Sequence, residues 1–461
     1  MLKKFSLAVL CLVLAGCGTS RISTSGGTRD INTDISEVTL TTNSYQNKNL
    51  FRVGMLLPLT GSAATVGKGM KNSALLALDD VQNSNLVLQF YDTQSSQSGA
   101  RIAIENAVSQ QADLIIGPLM STEVQASSGR AVADNIPMIA FSTSQDVLQP
   151  GVYTLGLLID EQVERIMNYA AAEGRSRLAL LVPDNNLGLS VARAAVRAAQ
   201  KNSSTIVKIA FYPPNTSNFS EILKKLTNYS VRHAEMQRKK AALKARADAG
   251  DTKAKRELAR IKTTDSSDDV DFDAVLIPES GTKLKSVISM FGYYDIYAPK
   301  VKFLGTSIWE NTPMNKESLA LNGWYPRLSR YQSSYFADKY YNFYNEKPRS
   351  LYSFAYDAVA LASALSRHQG TDLNAAITSP EGFMGINGAF RFFEDGSNQH
   401  SLDIMEIKSQ GDVVIDAAPK KFDVFDYGMS YHQNIYDFAA EQAPLIIGKD
   451  AALARSQIYA R

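Results

Sequence analysis

Two cysteines, Cys11 and Cys17, are all that 461 residues hold. Both fall in the first seventeen positions, so the rest of the chain has no thiol for a disulfide, a cysteine zinc site or a nucleophile. Histidine is scarce too. His233, His368, His400 and His432 are scattered, without H-E-x-x-H or paired spacing, and this speaks against a metal centre and leaves a Ser-His-Asp triad without a supporting pattern. Charge of one sign is missing: 48 Lys and Arg against 46 Asp and Glu give a net charge of +2, not the basic footprint of a nucleic-acid binder. Near the start, the apolar run 5–14 is too short to span a bilayer, which takes about 20 residues. Nor is there a phosphate loop. Gly61 and Gly67 are separated by five residues rather than four, and Lys68 is followed by Gly69 instead of a hydroxyl residue. No cofactor, no metal and no enzymatic constellation is expected.

What is present begins with a leader. Lys3 and Lys4 precede the apolar run, the pattern of a signal peptide over residues 1–16. It ends in Leu14-Ala15-Gly16-Cys17, which resembles the lipobox of bacterial lipoproteins. The resemblance implies cleavage before Cys17, lipidation of Cys17 and attachment to a lipid membrane. Gly18 in place of Asp implies sorting to the bacterial outer membrane, facing the periplasm. Residues 17–50 are then a lipidated cysteine and a flexible tether. The stretch is rich in Ser, Thr, Asn and Gly, and it cannot bury enough apolar surface to offset its chain entropy.

About 400 residues remain, too many for one ordinary core, so two lobes are expected. The first unit is a buried strand at 53–57 ended by Pro58, a small-residue loop at 60–64, and a helical pattern from Lys68. Strands at 86–91, 113–117, 136–141 and 152–157 alternate with helices at 99–109 and from 121, where Ser121 is the expected cap with Glu123 near the positive end. A second series follows: helix 161–172, strand 177–182, helix 187–200, strand 204–212, strand 272–277, helix 283–291 and strand 301–304. Such alternation predicts an α/β fold with parallel sheets and helices on both faces. The C-terminal third predicts helices at 335–344 and 353–365, and a hairpin pairing 388–393 with 402–408 through an Asp-Gly turn. Residues 430–461 read as a mobile tail.

One stretch departs from this pattern. Residues 224–262 carry 13 Lys and Arg against 4 Asp and Glu and read as a helical hairpin inserted in the second lobe. It is a solvated face or a docking surface for a protein or acidic material, with Arg238, Lys239, Lys240 and Lys244 the candidate contacts.

In open α/β sheets, ligands bind outside the carboxyl ends of the strands. This places the candidate cleft at Thr60, Gly61 and Ser62, then Pro118 and Ser121, then Ser142, Thr143 and Ser144, with Asp184, Thr306 and Ser307 in the second series. Hydroxyls and free N–H groups at Ser142, Thr143 and Ser144 could hold a carboxylate or a sugar hydroxyl, and Ser121 with Thr122 at a helix start could hold an anion, while turn formation and capping are the plainer roles for both. Trp309, Trp324, Tyr293, Tyr294 and Tyr297 could line a cleft or a partner surface, with core packing the default for each.

Leu56-Leu57-Pro58-Leu59-Thr60-Gly61, Ile115-Ile116-Gly117-Pro118-Leu119, Ile139-Ala140-Phe141-Ser142-Thr143, Leu304-Gly305-Thr306, Tyr356-Asp357-Ala358-Val359 and the run 382–388 resemble the type I periplasmic-binding-protein superfamily over roughly 51–422. With the lipobox, they look closest to penicillin-binding-protein activators of the LpoA (LppC) type, and next to receptors of branched-chain amino-acid ABC transporters. The resemblance implies two Rossmann-like lobes joined by a hinge of three crossings, near 155–160, 323–328 and 378–385. Lobe 1 would be 51–156 and 323–378, and lobe 2 would be 157–322 and 379–429. It also implies a class A penicillin-binding protein as partner or, on the second likeness, a small amino-acid-like ligand. Amino-acid receptors of this type tend to carry an aromatic residue before the first-loop glycine, a Tyr before the glycine opening the second lobe, and an acid after the strand near Leu304. Here those places hold Val66, Leu187, and Thr306 with Ser307, Glu310 lying farther along.

Overall fold

The computed structural model describes residues 50–267, 270–368, 370–423 and 443–459. The leader, Cys17 and most of the tether lie outside the described residues.

The first lobe opens with β1 (Phe51–Leu57), α1 (Ala64–Val81), β2 (Leu86–Asp92), α2 (Gln97–Ser109), β3 (Leu114–Ile116), α3 (Ser121–Ala133), β4 (Met138–Ala140) and β5 (Val152–Thr154). The strands form a parallel sheet in the order β2-β1-β3-β4-β5. Strands buried on both faces need continuous apolar runs, as in Leu114-Ile115-Ile116 and Met138-Ile139-Ala140, all fully buried. Helix α1 begins at Ala64, four residues before the expected start, because small residues let it enter straight from the loop.

The second lobe starts with α4 (Ile159–Ala172), β6 (Arg177–Pro183), α5 (Asn186–Asn202), β7 (Thr205–Tyr212) and α6 (Ser220–Leu226). Next come α7 (Tyr229–Asp248), α8 (Thr252–Arg260), β8 (Ala274–Leu276), α9 (Gly281–Tyr293), β9 (Lys302–Leu304) and β10 (Trp324–Leu328). Each lobe has the same tight opening: a Cβ on Gly67 would collide with the Pro58 carbonyl, and one on Gly188 with the Pro183 carbonyl. Glycine is therefore required where each first helix turns back on its strand.

The remainder contains α10 (Ser333–Tyr344), α11 (Tyr352–Leu365), α12 (Leu373–Ile377), β11 (Phe383–Gly385), β12 (Gly388–Phe392), β13 (Asn398–His400), β14 (Leu402–Glu406), β15 (Val413–Asp416), β16 (Leu445–Ile447) and α13 (Ala451–Ile458). The second sheet has eight strands in the order β15-β14-β10-β9-β8-β6-β7-β16.

Four expectations change here. Strand β10, expected in lobe 1, pairs with β9 and β14 in the second sheet, so the middle crossing follows Leu328 rather than occupying 323–328. Residues 383–400, expected in lobe 2, form a three-stranded sheet, and its Ile386, Phe390 and Phe392 pack in the first lobe's core with Phe336, Tyr340 and Tyr352. The hairpin partner of β12 is β13, not 402–408, and β14 crosses into the second sheet. The third crossing is thus at His400–Leu402. Finally, the expected tail is structured over 443–459: β16 adds parallel to β7, and α13 buries Ala454 and Ile458 in the core shared with α5. The part 430–442 lies outside the described residues.

Among the described residues no helix is long and apolar enough to cross a membrane.

Candidate functional site

The rim of lobe 1 is closed by its own backbone. Asp92, at the end of β2, accepts from Leu59 N (2.9 Å), Thr60 N (3.1 Å), Gln94 N (2.8 Å) and Thr60 Oγ1 (2.6 Å). Burial pushes this carboxyl up, but hydrogen bonds led by Thr60 outweigh it and hold the group below the usual carboxylate range. Ser95 Oγ donates to the Thr60 carbonyl and accepts from Ala63 N. Gly61 has φ +81°, and a Cβ there would strike the Gln94 carbonyl, so the loop tip is pinned on that side as well.

The neighbouring loop behaves alike. Glu123 is fully buried and accepts from Thr93 Oγ1 (2.8 Å) and Met120 N (3.2 Å). Burial raises its carboxyl, with the Thr93 bond partly opposing. Ser121 is not the cap of α3. Met120 holds that position, and Glu123 reaches back to its N–H. Pro118 is buried, its carbonyl accepting from Phe141 N. Ser142 Oγ accepts from Ser144 N, and Ser144 Oγ accepts from Asp146 N, so both shape a turn while Thr143 stays exposed.

The lobe 2 rim is used differently. Asp184 is exposed and ion-paired with Lys449 Nζ (2.6 Å), a residue supplied by the C-terminal segment. Ser307 donates through N and Oγ to Gln162 Oε1 (3.0 and 2.8 Å), and Gln162 Nε2 donates to the Leu158 carbonyl in the first crossing. Glu310 is held by Arg330 and lies 4.0 Å from Arg327 Nε. Leu187 is half-exposed and unable to hydrogen-bond through its side chain. Thr306 is the exception: it is buried, and its Oγ1 has no hydrogen-bond partner among the described residues.

Trp309 is core: its Nε1 donates to the Ile277 carbonyl, and a Cβ on Gly305 would enter its ring. Trp324 and Tyr294 are also buried, whereas Tyr293 is 73% exposed.

Behind the rim, the three crossings are stitched by buried polar groups. Asn398 Nδ2 donates to the carbonyls of Thr154 (2.6 Å) and Gly156 (2.8 Å). Glu161, almost wholly buried, accepts from Leu158 N (2.8 Å) and His400 N (2.6 Å), with His400 Nδ1 3.1 Å away. Ser401 Oγ accepts from Ala389 N, and Gln332 N donates to the Ile386 carbonyl. Asp357 on α11 accepts from Ile386 N (2.8 Å). Burial drives its carboxyl up to about 7, opposed in part by that bond and by His400.

Two cavities accompany these elements. One of about 480 Å³ lies over Glu161, Arg165, Arg391, His400 and Lys421 at the hinge. The other, about 570 Å³, lies between Val132, Ile136, Pro150, Tyr153 and Asn374 in lobe 1. None of the rim residues expected from sequence lines either cavity. Among the described residues no group of three or more His, Cys, Asp or Glu side chains could hold a metal ion.

Sequence reasoning passed over Asp92, Glu161 and Asn398, and it placed Glu123 at the start of its helix without its buried bond to Thr93. For Asp92 a signal was available, since an acid ending a strand before Thr-Gln-Ser-Ser is the residue type that ties turns. Asn398 and His400 meet Thr154, Gly156 and Glu161 only through the return of the chain, across more than two hundred residues.

Comparisons with known proteins agree with this architecture. An uncharacterised protein of Rickettsia prowazekii is 23% identical over 193 residues, covering 42% of this chain and 51% of that one. The penicillin-binding protein activator LpoA of Haemophilus ducreyi is 26% identical over 176 residues, covering 37% of this chain and 28% of the activator. This chain therefore spans about half the length of the first relative and under a third of the second. Among solved structures, a branched-chain amino acid ABC transporter periplasmic ligand-binding protein of Burkholderia xenovorans superposes with a TM-score of 0.58 at 14% identity, over 80% of this chain and 95% of that one, a likeness of fold. The family model of periplasmic binding proteins matches residues 51–412, and on that match, with one parallel sheet and one mostly parallel sheet joined by three crossings, the chain belongs to the periplasmic binding protein family.

Proposed function

We propose that this chain is a periplasm-facing, outer-membrane lipoprotein that binds a class A penicillin-binding protein and raises its activity, without catalysis of its own. The single observation that carries the reading is the self-closed rim. Asp92 and Glu123 spend their acceptors on Leu59, Thr60, Gln94, Thr93 and Met120. Glu310, the nearest acid beyond β9, is already paired with arginine. An amino-acid ammonium in such a cleft would lose its hydration without gaining a free carboxylate, a costly exchange. The likeness to LpoA supports the same reading, as does the lipobox at Leu14–Cys17. Activation would be allosteric: contact with a lobe surface binds the active state of the synthase more tightly than its resting state.

A second reading, a receptor for a small amino-acid-like solute, has one observation in its favour. The buried Thr306 Oγ1 at the carboxyl end of β9 has no partner among the described residues, the condition in which a ligand oxygen or nitrogen would be welcome.

The test is a thermal-shift screen with amino acids, peptides and muropeptides, run beside pull-down and stimulation assays with purified class A synthases. Capture and acceleration of a synthase, with no small-molecule shift, is expected. A ligand at about 100 times its Kd stabilises by about 2.7 kcal/mol. Such a shift without capture would overturn the activator reading in favour of the receptor.

A further inference from the structure

The helices α7 and α8 form a hairpin with a small core of their own, Met236, Leu243, Ala254 and Ile261. Its root is fixed by Arg232, which is buried and donates to the carbonyls of Ser267 (2.8 Å) and Tyr294 (3.1 Å). Beyond the root the surface is cationic. Lys239 pairs with Glu257 (3.1 Å) and Arg246 with Asp251 (2.7 Å). In contrast, Arg238, Lys244, Lys255, Arg256, Arg260 and Lys262 are exposed and have no ion-pair partner among the described residues. Several cations elsewhere are paired, Arg197 with Asp160, Lys208 with Asp271, Lys339 with Asp79 and Asp80, and Lys449 with Asp184, so what sets the hairpin apart is the density of unpaired charge on two adjacent helices.

We propose that this hairpin is an electrostatic docking surface for a flexible acidic peptide. Two features choose that occupant, and a third locates the surface in the fold. First, the surface is built of Lys, Arg and Ala, and Val231 is its one large exposed apolar residue, so it lacks the aromatic anchors of a packed protein interface. It equally lacks the Trp, Phe or Leu that an interfacial helix sinks into a bilayer. Second, the cations surround the helices instead of sharing a plane. At about 100° per residue, Arg238 and Lys244 fall about 120° apart on α7, and Arg256 and Arg260 lie on the other helix. A flat membrane would meet only part of this set, whereas a flexible polyanion can follow it. Third, the root sits at the strand ends that face away from the crossings, beside Asp271 and Asp273 near the start of β6, whose Arg177 donates to both residues. The chain enters lobe 1 at Phe51, likewise at a strand start facing away from the crossings. The hairpin and that entry point thus belong to opposite lobes.

The experiment measures binding of a labelled oligoglutamate peptide to the full chain, with phosphatidylglycerol–phosphatidylcholine vesicles as the second probe. Expected is peptide binding that weakens on the order of tenfold as salt rises from about 0.05 to 0.3 M. The variant Arg238→Glu/Lys244→Glu/Arg256→Glu/Arg260→Glu should lose at least about tenfold in affinity with an unchanged melting temperature. If charge reversal disturbs folding, replacement of the same four residues by Gln keeps the test alive, with a smaller loss in the same direction. Equal affinity in wild type and variants, no peptide binding by wild type, or binding to vesicles alone would each overturn the proposal.

Discussion

The rim of lobe 1 and the hinge behind it use the same groups, carboxylates, hydroxyls and backbone amides, to opposite ends. At the rim, bonds join neighbouring loops of one lobe or close a single turn: Asp92 ties its own turn at Gln94 to the loop after β1 at Leu59 and Thr60, and Ser144 caps the turn that follows it. At the hinge, bonds join segments far apart in sequence, Glu161 to His400 and Asn398 to Thr154. Closure within one lobe, at its surface, leaves the rim partly exposed and tolerant of change. Long-range closure in a dry setting makes the hinge expensive to alter, because a buried polar group that loses its partner pays its full desolvation cost. The hydrogen-bonding investment of the molecule lies in holding two lobes in register more than in presenting groups to a solute.

The largest expected effect tests the hinge. Glu161→Ala strands the amides of Leu158 and His400 and the imidazole beside them, and should lower unfolding stability by about 3–5 kcal/mol in urea titrations. Glu161→Gln, which keeps an acceptor, should fall between this variant and wild type. A cost near zero for Glu161→Ala would erase the contrast between the two regions.

Next comes Asp357. Its carboxyl titrates near 7 when folded and near 4 when unfolded, so between those values the folded state holds the extra proton. Stability from this group is complete below about pH 4, is lost as pH rises to about 7, and is flat above that. Asp357→Asn can still accept from Ile386 N but cannot ionise. The wild type should therefore lose ground to Asp357→Asn by at most about 1.4 kcal/mol per pH unit across that window, read from melts at pH 5, 6 and 7. A constant difference across pH would show that the buried carboxyl does not titrate there.

Rim changes should be smaller. Asp92→Ala removes a carboxylate that ties four donors and should cost about 1–3 kcal/mol. Its folded carboxyl lies below the usual range, so this contribution is present above about pH 4 and fades as pH falls through the folded value. Ser144→Ala, the loss of one short cap, should cost about 0.5–1 kcal/mol. Smallest of all, Lys449→Ala breaks an ion pair with an exposed Asp184 and should change stability by about 0–1 kcal/mol. If Asp92→Ala or Ser144→Ala instead abolished a small-molecule thermal shift, the rim would be a binding surface and the receptor reading would gain.

Legibility in the sequence followed the range of the interactions. Parallel strands at β1, β3 and β6 could be read because residues buried on both faces must be apolar in sequence order. The loops carrying Thr60, Ser142 and Ser144 could be placed for the same reason, since Pro and small residues punctuate strand ends. Membership of β10 and of residues 383–400 could not be read, since Trp324–Leu328 and Gly388–Phe392 have the same strand-like composition whichever lobe receives them. Nor could the fate of Asp184, because its partner Lys449 arrives with a C-terminal strand that sequence took for a tail.

By itself, then, the sequence determined the α/β class, the doubled series of strands and helices, the confinement of cysteine to the first seventeen residues and the basic hairpin. These depend on composition and on periodicities of two and 3.6, which act within a few residues. Tertiary structure alone decided which lobe each late strand joins, which carboxylates are spent on backbone, and that Glu161, Asp357 and His400 meet beside the crossings. Those outcomes depend on which distant segments share a dry environment, and no local pattern encodes that.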